Sequence, residues 1–206
     1  MNRKPKHPAS VIVIVSLLLA GCIAGAEKQS DDGNRVKAES ESQNEDNGLK
    51  LPLKEPHIVV YKARRQLELY SDGKVVRTYR VGLGFSPVED KQREGDGRTP
   101  EGDFYIFVKN PRSAYYLSLG VSYPNIEDAD RGLRERLISK SQHAEIVKAI
   151  RRKAEPPQYT PLGGLIYIHE HGAQSDWTLG CVALENEHIR ELFDAVPVGT
   201  VVTIKP

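Results

Sequence analysis

Three short runs of alternating or continuous apolar residues open the folded part of the chain: Ile58–Tyr61, Gln66–Tyr70 and Val75–Val81. Each has the length and the β-branched and aromatic content of a strand. The turn "SDGK" joins the last two, with Gly73 available for positive φ. "DFYIFVKN" at 103–110, "GGLIYIH" at 163–169 and the closing "GTVVTIKP" read as further strands. Two stretches instead follow a helical period. In "DADRGLRERLISKSQHAEIVKAIRRKAEPP", Leu133, Leu137 and Ile138 share one face and Ile146, Val147 and Ile150 another, until Pro156 and Pro157 stop the helix. In "NEHIRELFDAVPVG", Asn186 is placed to cap, and Ile189, Leu192, Phe193 and Val196 form an apolar stripe expected to pack into the core. The pattern predicts one mainly-β domain over 56–206 with two helical segments and no internal repeat.

The first 55 residues follow another logic. Arg3, Lys4 and Lys6 precede an uncharged run whose strongly apolar part is Val11–Leu19, ending in small residues. That is the layout of a secretory signal, and "LAGC" at 19–22 resembles a bacterial lipobox, which would place a diacylglyceryl group on Cys22. The competing reading is an uncleaved transmembrane anchor over Ala9–Ala26; the glycines and alanines that end the stretch argue against it. Residues 1–21 are therefore expected to be a signal peptide. Residues 22–55, rich in Glu, Asp, Ser, Gln, Asn and Lys, are expected to be the lipidated Cys and a disordered tether. The protein would be exported and held at a bacterial membrane facing the periplasm. Ile23, not an acidic residue, follows the Cys, and this favours the outer membrane.

Composition narrows the partners. With 29 Lys+Arg against 28 Asp+Glu, the net charge of +1 lacks the basic excess that nucleic-acid binding requires. The two cysteines matter more. If Cys22 is acylated, Cys181 has no disulfide partner in an oxidising compartment, so it is either a small buried hydrophobe or a reactive thiol. Twelve residues earlier a strand ends at His169, followed by Glu170, His171 and Gly172. A Cys beside a His can pass its proton and become a nucleophile. Gly180 lets backbone approach a substrate, and amides near Cys181 could hold an oxyanion. Spacing alone makes this a weak signal.

"IYIHEHGAQSDWTLGCVALEN" resembles the signature of L,D-transpeptidases, the YkuD-type catalytic domain, in which a strand-end His precedes a Gly-Cys nucleophile. The resemblance extends through Thr99, Pro100 and Gly102 of "GDGRTPEGDFYI" and through "LSLGVSYPN", "PPQYTPLGG" and "LFDAVPVGTVVTI", and it points to a branch carrying Asp-Trp-Thr-x-Gly-Cys. It implies a β-sandwich domain acting on peptidoglycan stem peptides through a thioester on Cys181. His169 would be base and acid, and backbone N–H groups at Gly180 and Cys181 the oxyanion donors. Thr178, Trp177, Asp176, Tyr123 and Arg98 are the candidate substrate contacts. No metal or other cofactor is implied. Three departures stand out: Leu179 where the commoner form has a second His, Ala183 where it has Arg or Asn, and Glu170 where it has Gly. If the residue at 183 holds a stem carboxylate in the family, Arg98 or Arg112 would have to do so here. His171 is a rival base, since it shares strand parity with His169. A zinc site built from His169, His171, Asp176 and Cys181, a hydrolase of the same linkages, and an inactive wall-binding lipoprotein are the competing functions.

Overall fold

The computed structural model describes residues 48–113 and 116–206. The expected signal peptide, Cys22 and residues 23–47 of the expected tether lie outside the described residues. The elements are β1 (His57–Tyr61), β2 (Gln66–Ser71), β3 (Lys74–Arg80), β4 (Gly102–Ser113), β5 (Tyr116–Val121), α1 (Ile126–Arg134), α2 (Lys140–Arg151), β6 (Tyr167–His169), β7 (Val182–Ala183), α3 (Asn186–Ala195) and β8 (Val201–Lys205).

The strands form one sheet in the order β3-β2-β1-β8-β4-β5-β6-β7. The long β4 makes the sandwich from it. Gly102–Tyr105 pair with β8, the stretch from Ile106 onward pairs with β5, and register shifts beyond Ile106 bend the strand between the two halves. The two edges of the sheet then meet. Beyond β3, Gly82 and Ala183 of β7 exchange backbone bonds of 2.9 and 2.8 Å, and Thr178 donates to the Leu83 carbonyl at 3.1 Å. Pairing the edges satisfies backbone groups that would otherwise be orphaned. It also draws the segment before β7 against residues 82–84, which follow β3. Glycine is required at this seam, because a Cβ at Gly82 would lie 2.4 Å from the Ser175 carbonyl oxygen.

Alternation in the strands packs Ile58, Val60, Leu67, Leu69, Ile168 and Val182 into the main core, where α3 adds Ile189, Leu192 and Ala195. The stripe predicted for α3 is thus core packing, though Glu185, not Asn186, is its N-cap residue; Asn186 is the first helical residue, and its Oδ1 accepts from the His171 amide at 3.3 Å. The first helical segment divides in two. Asn125 with Asp128 and Ser139 with Gln142 each form a capping box, and Arg136 at φ 61° lies in the break. α1 and α2 bury Ala129, Ile138 and Ile146 with Leu162 in a smaller core of their own. The run 163–169 is a strand only from Tyr167. Gln158 Oε1 accepts from the Leu165 amide at 2.7 Å, and Gly163 and Leu165 take positive φ, so the start of the run is a loop.

Candidate active site

Cys181 directly precedes β7, and the pairing of Ile168 with Val182 sets it beside Tyr167. Ile168 and Val182 are fully buried in the core. Strand alternation therefore turns Tyr167, His169 and Cys181 to the other face of the sheet. That face floors a cavity of about 970 Å³ whose lining includes Cys181, His169, Tyr167, Trp177, Thr178 and Ser118. Asn110 and Arg112 of β4 line it too, as does the loop Gln158–Leu165 after α2. Tyr159 and Leu179, 87% and 76% exposed, also contribute to its wall.

Cys181 is half-buried and lines this cavity. Its hydrogen is shared with the Leu165 carbonyl at 3.4 Å, while the Tyr167 amide donates to Sγ at 3.4 Å. Burial pushes the thiol up to about 11; the Tyr167 amide and the positive charge of Lys91 only partly oppose this. His169 is 2% exposed, and its Nδ1 lies 2.6 Å from the Glu170 carbonyl oxygen. A carbonyl can only accept, so Nδ1 carries the hydrogen and Nε2 is the basic nitrogen of the neutral ring. Burial lowers the ring's pKa below its ordinary value; the bond to Glu170 raises it and His171 lowers it further. The resting pair is thus a neutral thiol and a neutral imidazole, not the thiolate that a Cys–His pair suggests from sequence.

The other expected residues divide into those at the cavity and those behind it. Trp177 sets its ring edge-on to His169, centroids 5.6 Å apart, and its Nε1 donates to the Gly172 carbonyl at 3.1 Å. Thr178 is 4% exposed, and its hydroxyl holds the turn before Cys181 together, accepting from the Gly180 amide at 3.1 Å and donating to the Cys181 carbonyl at 2.8 Å. The Gly180 amide therefore faces Thr178 and not an incoming oxyanion. Gly180 itself sits at φ 134° with a would-be Cβ 2.7 Å from the Arg98 carbonyl oxygen.

Asp176 is outside the cavity lining. It accepts from Arg65 Nε at 3.0 Å, Arg65 Nη2 at 2.7 Å and the Leu83 amide at 3.0 Å, which clamps the loop to the sheet seam. Tyr123 is fully buried and donates to the Leu162 carbonyl at 2.8 Å, joining the core to the helical pair. Arg98 pairs with Glu89 and with the Asp90 carbonyl, and it reaches the site only through its own backbone oxygen. Arg112 is the cation that lines the cavity with no ion pair among the described residues. His171, at φ 85°, is outside the lining, and its Nδ1 is 3.5 Å from Glu170 Oε1. The four side chains of the zinc reading do not converge; among the described residues no group of three or more His, Cys, Asp or Glu could hold a metal ion. The Glu170 and Leu165 carbonyls, the Tyr167 amide and Ser118 had no sequence expectation attached. The first three are backbone groups, which a residue code does not reveal.

The family model for the L,D-transpeptidase catalytic domain matches residues 55–204. Among solved structures, the helical cell shape determining protein Pgp2 from Campylobacter jejuni superimposes with a TM-score of 0.50 at 24% identity, over 73% of this chain and 48% of that one. An L,D-transpeptidase from Mycobacterium smegmatis gives 0.44 at 14% identity, over 74% and 59%. This chain thus spans about half to three-fifths of the length of those two proteins. No curated protein matches the sequence significantly. With the family match covering nearly the whole described fold, this chain belongs to the L,D-transpeptidase catalytic-domain family.

Proposed function

We propose that the protein is a cell-wall L,D-transpeptidase that works through a thioester on Cys181, with peptidoglycan peptide stems as donor and acceptor. The observation that carries this reading is the shared face of β6 and β7, where a cavity-facing thiol and a buried imidazole with a defined basic nitrogen line one cavity.

In the proposed cycle, His169 Nε2 takes the Sγ proton as sulfur adds to the carbonyl that follows the L-centre of the stem's diamino acid. The amide of Cys181 serves as oxyanion donor in place of the Gly180 amide. Collapse expels the terminal D-amino acid, whose nitrogen takes the proton back from His169. An acceptor amine then attacks the thioester, gives a proton to His169 and restores the thiol. Splitting the transfer through a covalent intermediate conserves the bond energy without a nucleotide. Because both partners rest neutral, the base must act as sulfur attacks. Trp177 and Thr178 would border the donor, and Arg112 would hold its carboxylate where Ala183 offers no cation.

Export, a Cys22 lipid anchor facing the periplasm and a role in cell shape form part of the same proposal. They rest on the N-terminal sequence and on the likeness to Pgp2. Incubation of the lipid-free protein with purified tetrapeptide muropeptides, followed by mass analysis, tests the reading. Cross-linked or amino-acid-exchanged products that vanish in Cys181→Ala are expected. Tripeptide products alone would make it a hydrolase, and no product with no adduct on Cys181 would make it a wall binder.

A further inference from the structure

We propose that Glu94 is a specificity residue for the donor, its carboxylate binding the free ammonium at the end of the side chain of the stem's diamino acid. The inference deepens the reading in which Cys181 attacks the carbonyl after that residue's L-centre, and it rests on that reading.

The cavity beside Cys181 is lined by charges of both signs. Arg112 comes from β4, two strands from β6, while Lys91 and Glu94 come from the segment between β3 and β4. Lys91 is 2% exposed and its charge is committed, Nζ donating to Asp96 Oδ1 at 2.9 Å and to the Arg93 carbonyl at 3.1 Å. Glu94 is exposed and is the one carboxylate in the lining. Among the described residues its side chain has no ion pair and no hydrogen bond. It is an acid facing a substrate cavity without a cation of its own.

Backbone holds Glu94 in place. Its amide donates to the Pro161 carbonyl at 3.0 Å. Asp96 closes the turn around it, accepting from the amides of Gln92, Arg93 and Arg98 at 2.7, 3.0 and 3.1 Å. The carboxylate lies over Gly163, where a Cβ would come 2.6 Å from Oε2 and φ is 90°. That placement bounds its distance from the nucleophile. Gly163 stands two residues before Leu165, a stretch of at most about 7 Å, and the Leu165 carbonyl oxygen is 3.4 Å from Sγ.

The stem's diamino acid matches this span. At its L-centre the α-amine is bound in the peptide and the carbonyl is the point of attack, so the terminal amine is the free cation of the side chain. Bonds of about 1.5 Å carry that nitrogen roughly 7 Å from the carbonyl carbon when the side chain is extended. With the carbonyl against Sγ, a side chain running past Leu165 and Gly164, both in the lining, brings its ammonium to Glu94. The pairing is a charge-assisted hydrogen bond that a neutral side chain cannot make. Arg112 on β4 is left for the carboxylate.

The test compares a tetrapeptide muropeptide with the same muropeptide acetylated on the side-chain amine. Binding of each to lipid-free Cys181→Ala protein is measured by calorimetric titration, with and without Glu94→Gln. Acetylation should weaken binding roughly three- to thirtyfold while Glu94 is present, between the worth of an exposed ion pair and that of a shielded charge-assisted bond. Glu94→Gln should weaken the free-amine donor by a similar factor and bind the two donors alike, with a melting temperature near that of the parent. Release of the terminal D-amino acid by the Cys181 protein should show the same preference in the donor concentration for half-maximal rate. Equal binding of the two donors, no binding of either, or a preference that survives Glu94→Gln would overturn the inference. So would an effect of Glu94→Gln confined to the acceptor concentration, which would move Glu94 to the acceptor amine. Absence of a carbapenem adduct on wild-type Cys181 would instead overturn the reading of the nucleophile, and the titrations would still decide the role of Glu94.

Discussion

Replacing His169 by alanine should change the slope of the pH profile as well as the rate. With the thiol pushed up to about 11, only about one part in ten thousand is thiolate at pH 7. In the proposed mechanism the wild-type protein avoids this shortage because the imidazole takes the proton during attack. Its acylation should therefore be flat from about pH 7 to 10. The ring's pKa lies below its ordinary value, so the basic form is complete above that point and is lost as pH falls through it, giving an acid limb below about 6.5. His169→Ala must react as free thiolate. At pH 7 its rate should fall by about 10² to 10⁴. It should then climb close to tenfold per pH unit, so most or all of the gap closes toward pH 10. The assay is acylation by a carbapenem read as a mass increase on the intact protein. Thiolate absorbance of each variant, recorded in parallel, reports any change in the Cys181 pKa as water fills the vacated space. His171→Ala is the control and should keep the flat rate between about pH 7 and 10, with only the acid limb moving upward as the His171 charge is lost. A His169→Ala profile as flat as the wild type, or a wild-type rate rising tenfold per unit between pH 7 and 10, would refute the neutral-pair mechanism.

Gly180→Ala should lower the melting temperature, with about 1–3 kcal/mol of backbone strain at φ 134° added to a contact 2.7 Å from the Arg98 oxygen, and acylation should fall because Cys181 is the next residue. Tyr123→Phe should cost about 1–3 kcal/mol of stability, read by denaturant unfolding, because it leaves the buried Leu162 carbonyl unpaired; the rate of the folded fraction should not change, as it would if Tyr123 bordered the substrate. Arg112→Ala should raise the stem concentration for half-maximal rate roughly ten- to hundredfold, the worth of a charge-assisted bond to a carboxylate, whereas Arg98→Ala should leave it near wild type. Equal effects of the two arginine variants would remove Arg112 from the carboxylate role.

What the sequence disclosed and what it hid have physical reasons. The first three strands and the α3 stripe are legible because each is local and amphipathic, with a period that composition alone reveals. Cys181 and His169 stand out because thiol and imidazole are scarce and sit beside recognisable neighbours. The division between α1 and α2 escaped the hydrophobic pattern, since Leu133, Leu137 and Ile138 keep a helical spacing straight through it. The signal was instead the pair of capping boxes, Asn125 with Asp128 and Ser139 with Gln142. β5 alternates Leu117, Leu119 and Val121 with Ser118 and Gly120, but its serine and glycine carry little strand propensity, and β7 has only two residues, too few for any period. Asp176 and Tyr123 have side chains that suit a substrate groove equally well. Only tertiary geometry assigns Asp176 to Arg65 and Leu83 and Tyr123 to Leu162.

The seam between the sheet's edges connects these observations. Gly82 and Leu83 pair with Ala183 and Thr178, so residues about a hundred positions earlier in the chain set the height of the turn that carries Cys181. A Cβ at Gly84 would come 2.1 Å from the Gly97 carbonyl oxygen, so the strand can lie against the 97–99 segment only as glycine. Thr99 Oγ1 then accepts from the Gly84 amide at 2.9 Å, and the Arg98 oxygen packs against Gly180. The segment 98–102, with its Thr-Pro-x-Gly element, is thereby tied to the turn that carries Cys181. Its side chains need not touch a substrate to matter. On the proposed mechanism, substitutions at Gly82, Gly84 or Thr99 would slow acylation by shifting sulfur relative to the imidazole, since positioning errors near 1 Å can cost about a hundredfold in rate.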